Sequence, residues 1–229
     1  MKKLAIVVAL LAIASQAFAV SPNVRIAQVY AGGGSGSATA SYKKDYVVLF
    51  NNAGVDIDIS NWALEYGSNT GTWGSATTNY FVFPANTWIA GCSYLLVACG
   101  TAGAGGADLP MTPDFLTTNI SMSGTAGKVG LFTALNSNVA CGSEAAGTLV
   151  DKVAWATATC PEGAGVTGTI NVTVGFVRGG NGAVDTDNNA TDFSIVPTPV
   201  PFYSATPATA CQPVPAETQS WGALKSTFR

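Results

Sequence analysis

The feature that most constrains this chain is the form of its apolar runs. There are nine short ones, most of them divided by Gly, Ser, Asn, Asp or Pro clusters, and no stretch of ten residues shows convincing helical periodicity before the C-terminus. They are VRIAQVY (24–30), DYVVLFNN (45–52), WALEY (62–66), NYFVFP (79–84), TWIA (87–90), SYLLVA (93–98), KVGLF (128–132), TLVDKVAWA (148–156) and INVTVGFVR (170–178). Their β-branched and aromatic residues suit a pleated, half-buried surface. Gly and Pro, 26 and 11 of 229 residues, punctuate the whole length. Many short strands with turns between them predict an all-β sandwich or barrel. Disorder is excluded, because 48% of residues are hydrophobic and only 10% charged, the reverse of a disordered composition.

Histidine is absent. That removes Ser-His-Asp and Cys-His nucleophiles, His-ligated zinc and haem, and imidazole acid–base chemistry. The formal net charge is −3. An acidic chain gains little from neutralising phosphates, so nucleic acid is not the expected partner; Lys43, Lys44 and Arg25 are the only candidates for a basic patch.

MKKLAIVVALLAIASQAFA (residues 1–19) reads as a secretory signal: Lys2 and Lys3, an apolar run, then Ala17-Phe18-Ala19. The run is shorter than the roughly 20 residues a spanning helix needs, so a membrane-spanning protein is not expected. Export predicts a secreted, extracellular or cell-surface product and makes the five cysteines disulfide candidates. Cys92 and Cys99 flank a strand too long for them to meet, whereas Cys141 and Cys160 flank GTLVDKVAWA with loop on either side. A Cys141–Cys160 bridge is expected, with at least one cysteine left over. Residues 20–203 form the expected sandwich domain. Residues 204–229 read as a Pro-rich linker and a short amphipathic segment in which Trp221, Leu224 and Phe228 recur at helical spacing behind Ser220.

Several segments together resemble the lamin tail domain as it occurs in exported bacterial proteins. VRIAQVYAGGG is similar to that family's opening strand and Gly-rich loop, and DYVVLFNNAGVDIDISNWAL to its central signature. MTPDFLTTNISMSGTAGKVGLF, LVDKVAWATATCPEGAG and GAVDTDNNATDF resemble the later portions. The resemblance spans about residues 24–200 and implies an immunoglobulin-like β-sandwich, often met beside extracellular nucleases or other secreted domains. Trp62 and Leu64 share one face of a strand and are expected to plug the core, and Asn61 stands where the family usually has Gly. Gln28 and Val48 replace residues often acidic in the family, and Ala183 stands where relatives often have Cys.

Asp185, Asp187 and Asn189 alternate in VDTDNNATDF with Asp192 beyond, a spacing able to wrap calcium. The favoured reading is an Asx-rich turn, because the EF-hand glycine and bidentate glutamate are missing. Ser41 and Lys44 form S-x-x-K without the companion motifs of acyl transfer. Asn119, Asn171 and Asn189 lie in N-x-S/T sequons. Trp73, Tyr80, Phe81, Phe83 and Trp88 are expected in core and rim rather than as a sugar platform. No catalytic residue and no cofactor is expected. The chain reads as a non-catalytic binding, adhesion or surface-structural protein whose partner is an extracellular or cell-surface protein or glycan; an accessory to extracellular nucleic-acid processing, or a stand-alone hydrolase, is the alternative.

Overall fold

The strand DYVVLFN, β2 (Asp45–Asn51), has apolar side chains on both faces, so it is stable only with cover on both. In the computed structural model, which describes residues 23–207 and Cys211, β2 is central in a six-stranded sheet. The other strands are β1 (Val24–Tyr30), β3 (Ile57–Asp58), β4 (Ala63–Ser68), β5 (Tyr80–Val82), β6 (Trp88–Ile89), β7 (Tyr94–Cys99), β8 (Phe115–Thr117), β9 (Gly127–Phe132), β10 (Leu149–Trp155), β11 (Val174–Arg178) and β12 (Phe193–Pro197). A single helical turn, α1 (Asn189–Asp192), precedes β12. The large sheet runs β12-β11-β1-β2-β7-β8, and a four-stranded sheet β10-β9-β4-β5 faces it. A two-stranded ribbon pairs β3 with β6. The expected immunoglobulin-like sandwich is thus observed. The signal segment, residues 1–19, and the amphipathic segment with Trp221, Leu224 and Phe228 lie outside the described residues.

Alternation along β2 sorts its side chains. Val47 and Leu49 join Ile26, Val29, Leu64, Val129, Leu131, Val153 and Trp155 in the core between the sheets. Tyr46, Val48 and Phe50 point the other way, into a second apolar cluster with Tyr30, Tyr94 and Leu96. Leu64 is buried as expected; Trp62 lies just before β4 and packs half-buried against the core. Asn61 has φ 64°, a turn conformation that Asn tolerates at low cost.

The second cluster is closed by chain from the C-terminal side. The Tyr46 hydroxyl donates to the Pro199 carbonyl at 2.9 Å, and the Phe202 ring lies 4.7 Å from that of Tyr94. Ser204 N–H donates to Asp114 at 3.1 Å, and Cys211 is disulfide-bonded to Cys92, Cα–Cα 5.3 Å. The stretch that composition presents as a linker therefore begins as a strap across the outer face of the large sheet. Its prolines suit an extended covering segment as well as they suit a free one.

On the far side of the sandwich, Trp73 is fully buried over β9. A side chain at Gly130 would come within 3.2 Å of the indole and nearer still to the Phe132 ring, so glycine leaves room for these two rings to pack edge to face.

Three differences from the sequence reading have local causes. β11 begins at Val174 rather than residue 170, because the Asn171 side chain accepts from Thr173 N–H and forms a turn. β12 and β8 escape notice because FSIVP carries a proline and FLT is three residues long. Cys99 is the leftover cysteine, buried and in no disulfide among the described residues. If the strap is held as described, Cys92→Ala with Cys211→Ala lowers stability by about 2–5 kcal/mol, since the bridge closes a long loop. Hydrogen exchange at Phe202 should then accelerate while β2 stays protected; unchanged exchange at Phe202 would contradict a strap dependent on this bond.

Candidate functional site

Register shifts in two facing strands set up a cluster of two arginines and three aspartates. β1 is irregular between Ile26 and Gln28, and β10 between Leu149 and Asp151. Ile26 N–H is turned out of its ladder and donates to Asp151 Oδ2 at 2.6 Å. Arg178, at the end of β11, reaches the same carboxylate through Nη2, at 2.9 and 2.8 Å. Its Nε donates to the Ile26 carbonyl at 2.8 Å, and its Nη1 to Asp185 at 3.2 Å and Asp192 at 3.4 Å. Arg25 completes the cluster with Nε 3.2 Å from Asp185. The Arg178 side chain is fully buried and stacks 4.5 Å over Phe193. Burial works against its charge, but Asp151, Asp185, Glu162 and Asp192 outweigh that and raise its pKa. For Asp151, burial pushes the pKa up while Arg178 and the Ile26 amide pull it down.

The residues considered as calcium ligands fall on this cluster and divide among other partners. Asp185 and Asp192 face the arginines, and Asp192 also accepts from Thr186 N–H at 3.0 Å and its hydroxyl at 2.7 Å. Asn189 is wholly buried. Its Oδ1 accepts from Ala154 N–H at 3.0 Å and Glu162 N–H at 3.2 Å, and its Nδ2 donates to the Lys152 carbonyl at 3.0 Å. Asp187, at φ 54°, lies toward the surface. Arginines thus face Asp185 and Asp192, and these two carboxylates and that of Asp187 do not come together within metal-ligand proximity. Among the described residues the one grouping with metal-ligand proximity is Cys141, Glu144 and Cys160, whose two sulfurs are joined in a disulfide.

Beside the cluster, at the outer edge of β10, a cleft of about 600 Å³ opens between the loops that hold Glu144 and Glu162. Val150 and Lys152 line it from the strand, Pro161 and Glu162 from one wall, Glu144 and Asp187 from the rim. The Cys141–Cys160 bridge, Cα–Cα 6.1 Å, ties the two loops together, and Lys152 Nζ lies 3.8 Å from the Cys160 sulfur. Against the upward push of burial, Gly142 N–H, the Trp73 indole N–H and Lys152 hold the Glu144 pKa below its usual value. Glu162 is the opposite case: burial first, then the Asp151 carboxylate, pushes it up to about 9. One oxygen accepts from Asn189 Nδ2 at 3.3 Å; the other bonds none of the described residues.

A family model described as the Lamin Tail Domain matches residues 18–157, more than half of the sequence. The chain belongs to the Lamin Tail Domain family. No curated protein matches it. Among solved structures it is similar to the crystal structure of a DUF4876 family protein from Bacteroides thetaiotaomicron, at 14% identity and a TM-score of 0.55, over 82% of this chain and 74% of that one. At that identity the likeness speaks to fold. The family match holds Arg25, Asp151 and Lys152, while Arg178, Asp185 and Asp192 come from the chain beyond it.

The remaining sequence candidates of this lamin tail domain do not converge. Ser41 Oγ donates to the Thr173 carbonyl at 2.9 Å and Lys44 Nζ to the Gly100 carbonyl at 2.7 Å, so the S-x-x-K pair is drawn apart. Lys43 is paired with Asp108 at 3.1 Å and Arg25 is buried, leaving no basic patch from these three. Trp73 and Phe83 are buried, Tyr80 and Phe81 half-buried, and Trp88 56% exposed, so they form no common platform. The sequon residue Asn189 has both side-chain ends bonded inside the fold. Gln28 and Val48 are buried in the large sheet, where Gln28 accepts from Phe202 N–H at 3.4 Å. Glu162 and Lys152, which neither motif nor spacing singles out, line the cleft together with Glu144 and the sequence candidate Asp187.

Burial also raises Asp45 and Glu65 to about 7. Asp45 clamps two loops through Gly33 and Met122 N–H, both at 2.8 Å, and Glu65 accepts from Asn136 N–H at 2.6 Å. A carboxyl whose folded pKa lies above its unfolded value of about 4 holds extra protons in the folded state. Its contribution to stability is complete below the unfolded pKa and is lost as pH rises through the folded one. The melting temperature should therefore fall between about pH 5 and about pH 9, and Glu162→Gln should flatten the part above about pH 7.5. A melting temperature that climbs across this interval would contradict these assignments.

Proposed function

We propose that this chain works outside the cytoplasm, as an exported non-catalytic module that binds an extracellular or cell-surface protein or glycan. The observation that carries the reading is the direction in which its charges face. The two arginines and three aspartates most able to act on a substrate neutralise one another inside the sandwich, and the cleft beside them mixes apolar strand residues with a few carboxyls. Such a lining suits recognition of a ligand. Two disulfides suit an oxidising compartment, and no helix among the described residues is long and apolar enough to cross a membrane. Against a nucleic-acid role stand the acidic balance and the engaged state of Lys43 and Arg25.

The experiment is fractionation of an expressing cell followed by intact-mass analysis. The expected product begins at Val20, lies outside the cytoplasm and carries Cys141 bonded to Cys160. Purified protein should turn over no nuclease, esterase or glycan substrate. A full-length, reduced product in the cytoplasm, or an activity that survives repurification, would overturn the reading.

A further inference from the structure

The edge of β10 is not wholly closed. Lys152 and Ala154 turn their backbone groups away from β9, because the Lys152 carbonyl and the Ala154 N–H are both met by the side-chain amide of Asn189. In an antiparallel strand the N–H and C=O of one residue point the same way, so the Lys152 N–H also faces outward. Further along, Val166 pairs with the edge: its N–H donates to the Ala154 carbonyl at 2.9 Å and its carbonyl accepts from Ala156 N–H at 2.8 Å. Asn189 and Val166 thus do for the second half of β10 what a neighbouring strand would do. In the first half the Lys152 carbonyl is taken by Asn189, while the Lys152 N–H and Val150, which the irregularity between Leu149 and Asp151 leaves without a register partner in β9, lie at the cleft.

We propose that this cleft is a peptide-binding site: an extended segment of a partner protein pairs its backbone with β10 at Val150–Lys152 and lays a lysine or arginine side chain against Glu162. Pairing to an exposed sheet edge supplies affinity from main-chain hydrogen bonds, with pockets reading alternate side chains. The choice of a cationic side chain rests on charge. Glu162 lines the cleft and has one oxygen with no bond to the described residues, and Glu144 and Asp187 line the cleft as well. The cation already present, Lys152, is drawn to the Cys160 sulfur rather than to Glu162. A guanidinium or ammonium brought to Glu162 favours its ionised form, which burial and the Asp151 carboxylate disfavour. The disulfide between Cys141 and Cys160 holds both walls at their separation, so the groove is present before the peptide arrives.

This assignment rests on the reading of the chain as a binding module and gives it a partner class. The test is titration of the ¹⁵N-labelled, disulfide-intact protein with a blocked pentapeptide of alternating valine and arginine, followed by NMR. The expected result is saturable shifts at the Val150, Lys152 and Glu162 amides. These should weaken at least fivefold with Glu162→Gln, and disappear when the peptide's backbone nitrogens are methylated. The matching valine–glutamate peptide should not bind. Equal binding of the acidic peptide, indifference to backbone methylation, or shifts confined to another face would overturn the proposal. Since Glu162→Gln tests the charge contact and methylation the strand pairing, a folded Glu162→Gln protein that binds as well as the parent removes the cation subsite by itself. Failure of these titrations with export intact leaves the wider reading standing; a cytoplasmic product fails that reading whatever the peptide does.

Discussion

The guanidinium of Arg178 leaves the six-stranded sheet and meets the carboxylate of Asp151 on the four-stranded one, where neither side chain reaches water. Taking two such charges out of water costs several kcal/mol for each ion, and only near-complete hydrogen bonding offsets that. Here the offset comes from the backbone as much as from the opposite charge. The irregularity in β1 frees the Ile26 N–H for Asp151, while the Ile26 carbonyl accepts from Arg178. One strand of the large sheet, its neighbour β11 and an edge strand of the small sheet are thereby fixed at a single point. Asp185 and Asp192 extend the cluster into the loop before β12 and position α1, whose first residue, Asn189, in turn covers the edge of β10. The cleft lies where that covering stops.

Everything outside the core follows from the need to bury the outer faces of both sheets. The large sheet is covered by the strap from Pro199 to Pro207, fastened at Phe202, and Cys211 is bonded to Cys92 beyond it. The small one is covered by the loops that carry Trp73 and Glu144, whose indole and carboxylate are bonded to each other. Covered faces make a rigid frame that carries the loops around β10.

Much of this was legible in the residues. Period-two alternation places Leu64 in the core, and the run DYVVLFN, apolar without alternation, marks a strand buried on both faces. The flanking loops make the pairing of Cys141 with Cys160 geometrically possible. What escaped depends on partners distant in sequence. Asp185 and Asp192 look like cation ligands until Arg25 and Arg178 are brought beside them, and no local pattern announces a guanidinium that arrives from another strand. Asn189 carries a sequon and a ligand-like spacing, yet its amide is spent on two backbone groups of β10. Prolines after residue 197 signal an absence of regular structure, which is true of a strap and of a linker alike.

A double-mutant cycle at Arg178 and Asp151, read by chemical denaturation with both disulfides intact, bears most directly on the claim that one buried ion pair joins the sheets. Arg178→Met and Asp151→Leu should each cost roughly 3–5 kcal/mol, because each strands the other's charge. The double variant should lose less than the sum by at least about 2 kcal/mol. Single losses below about 1 kcal/mol that simply add would contradict it, and the two sheets would then be held by apolar packing alone.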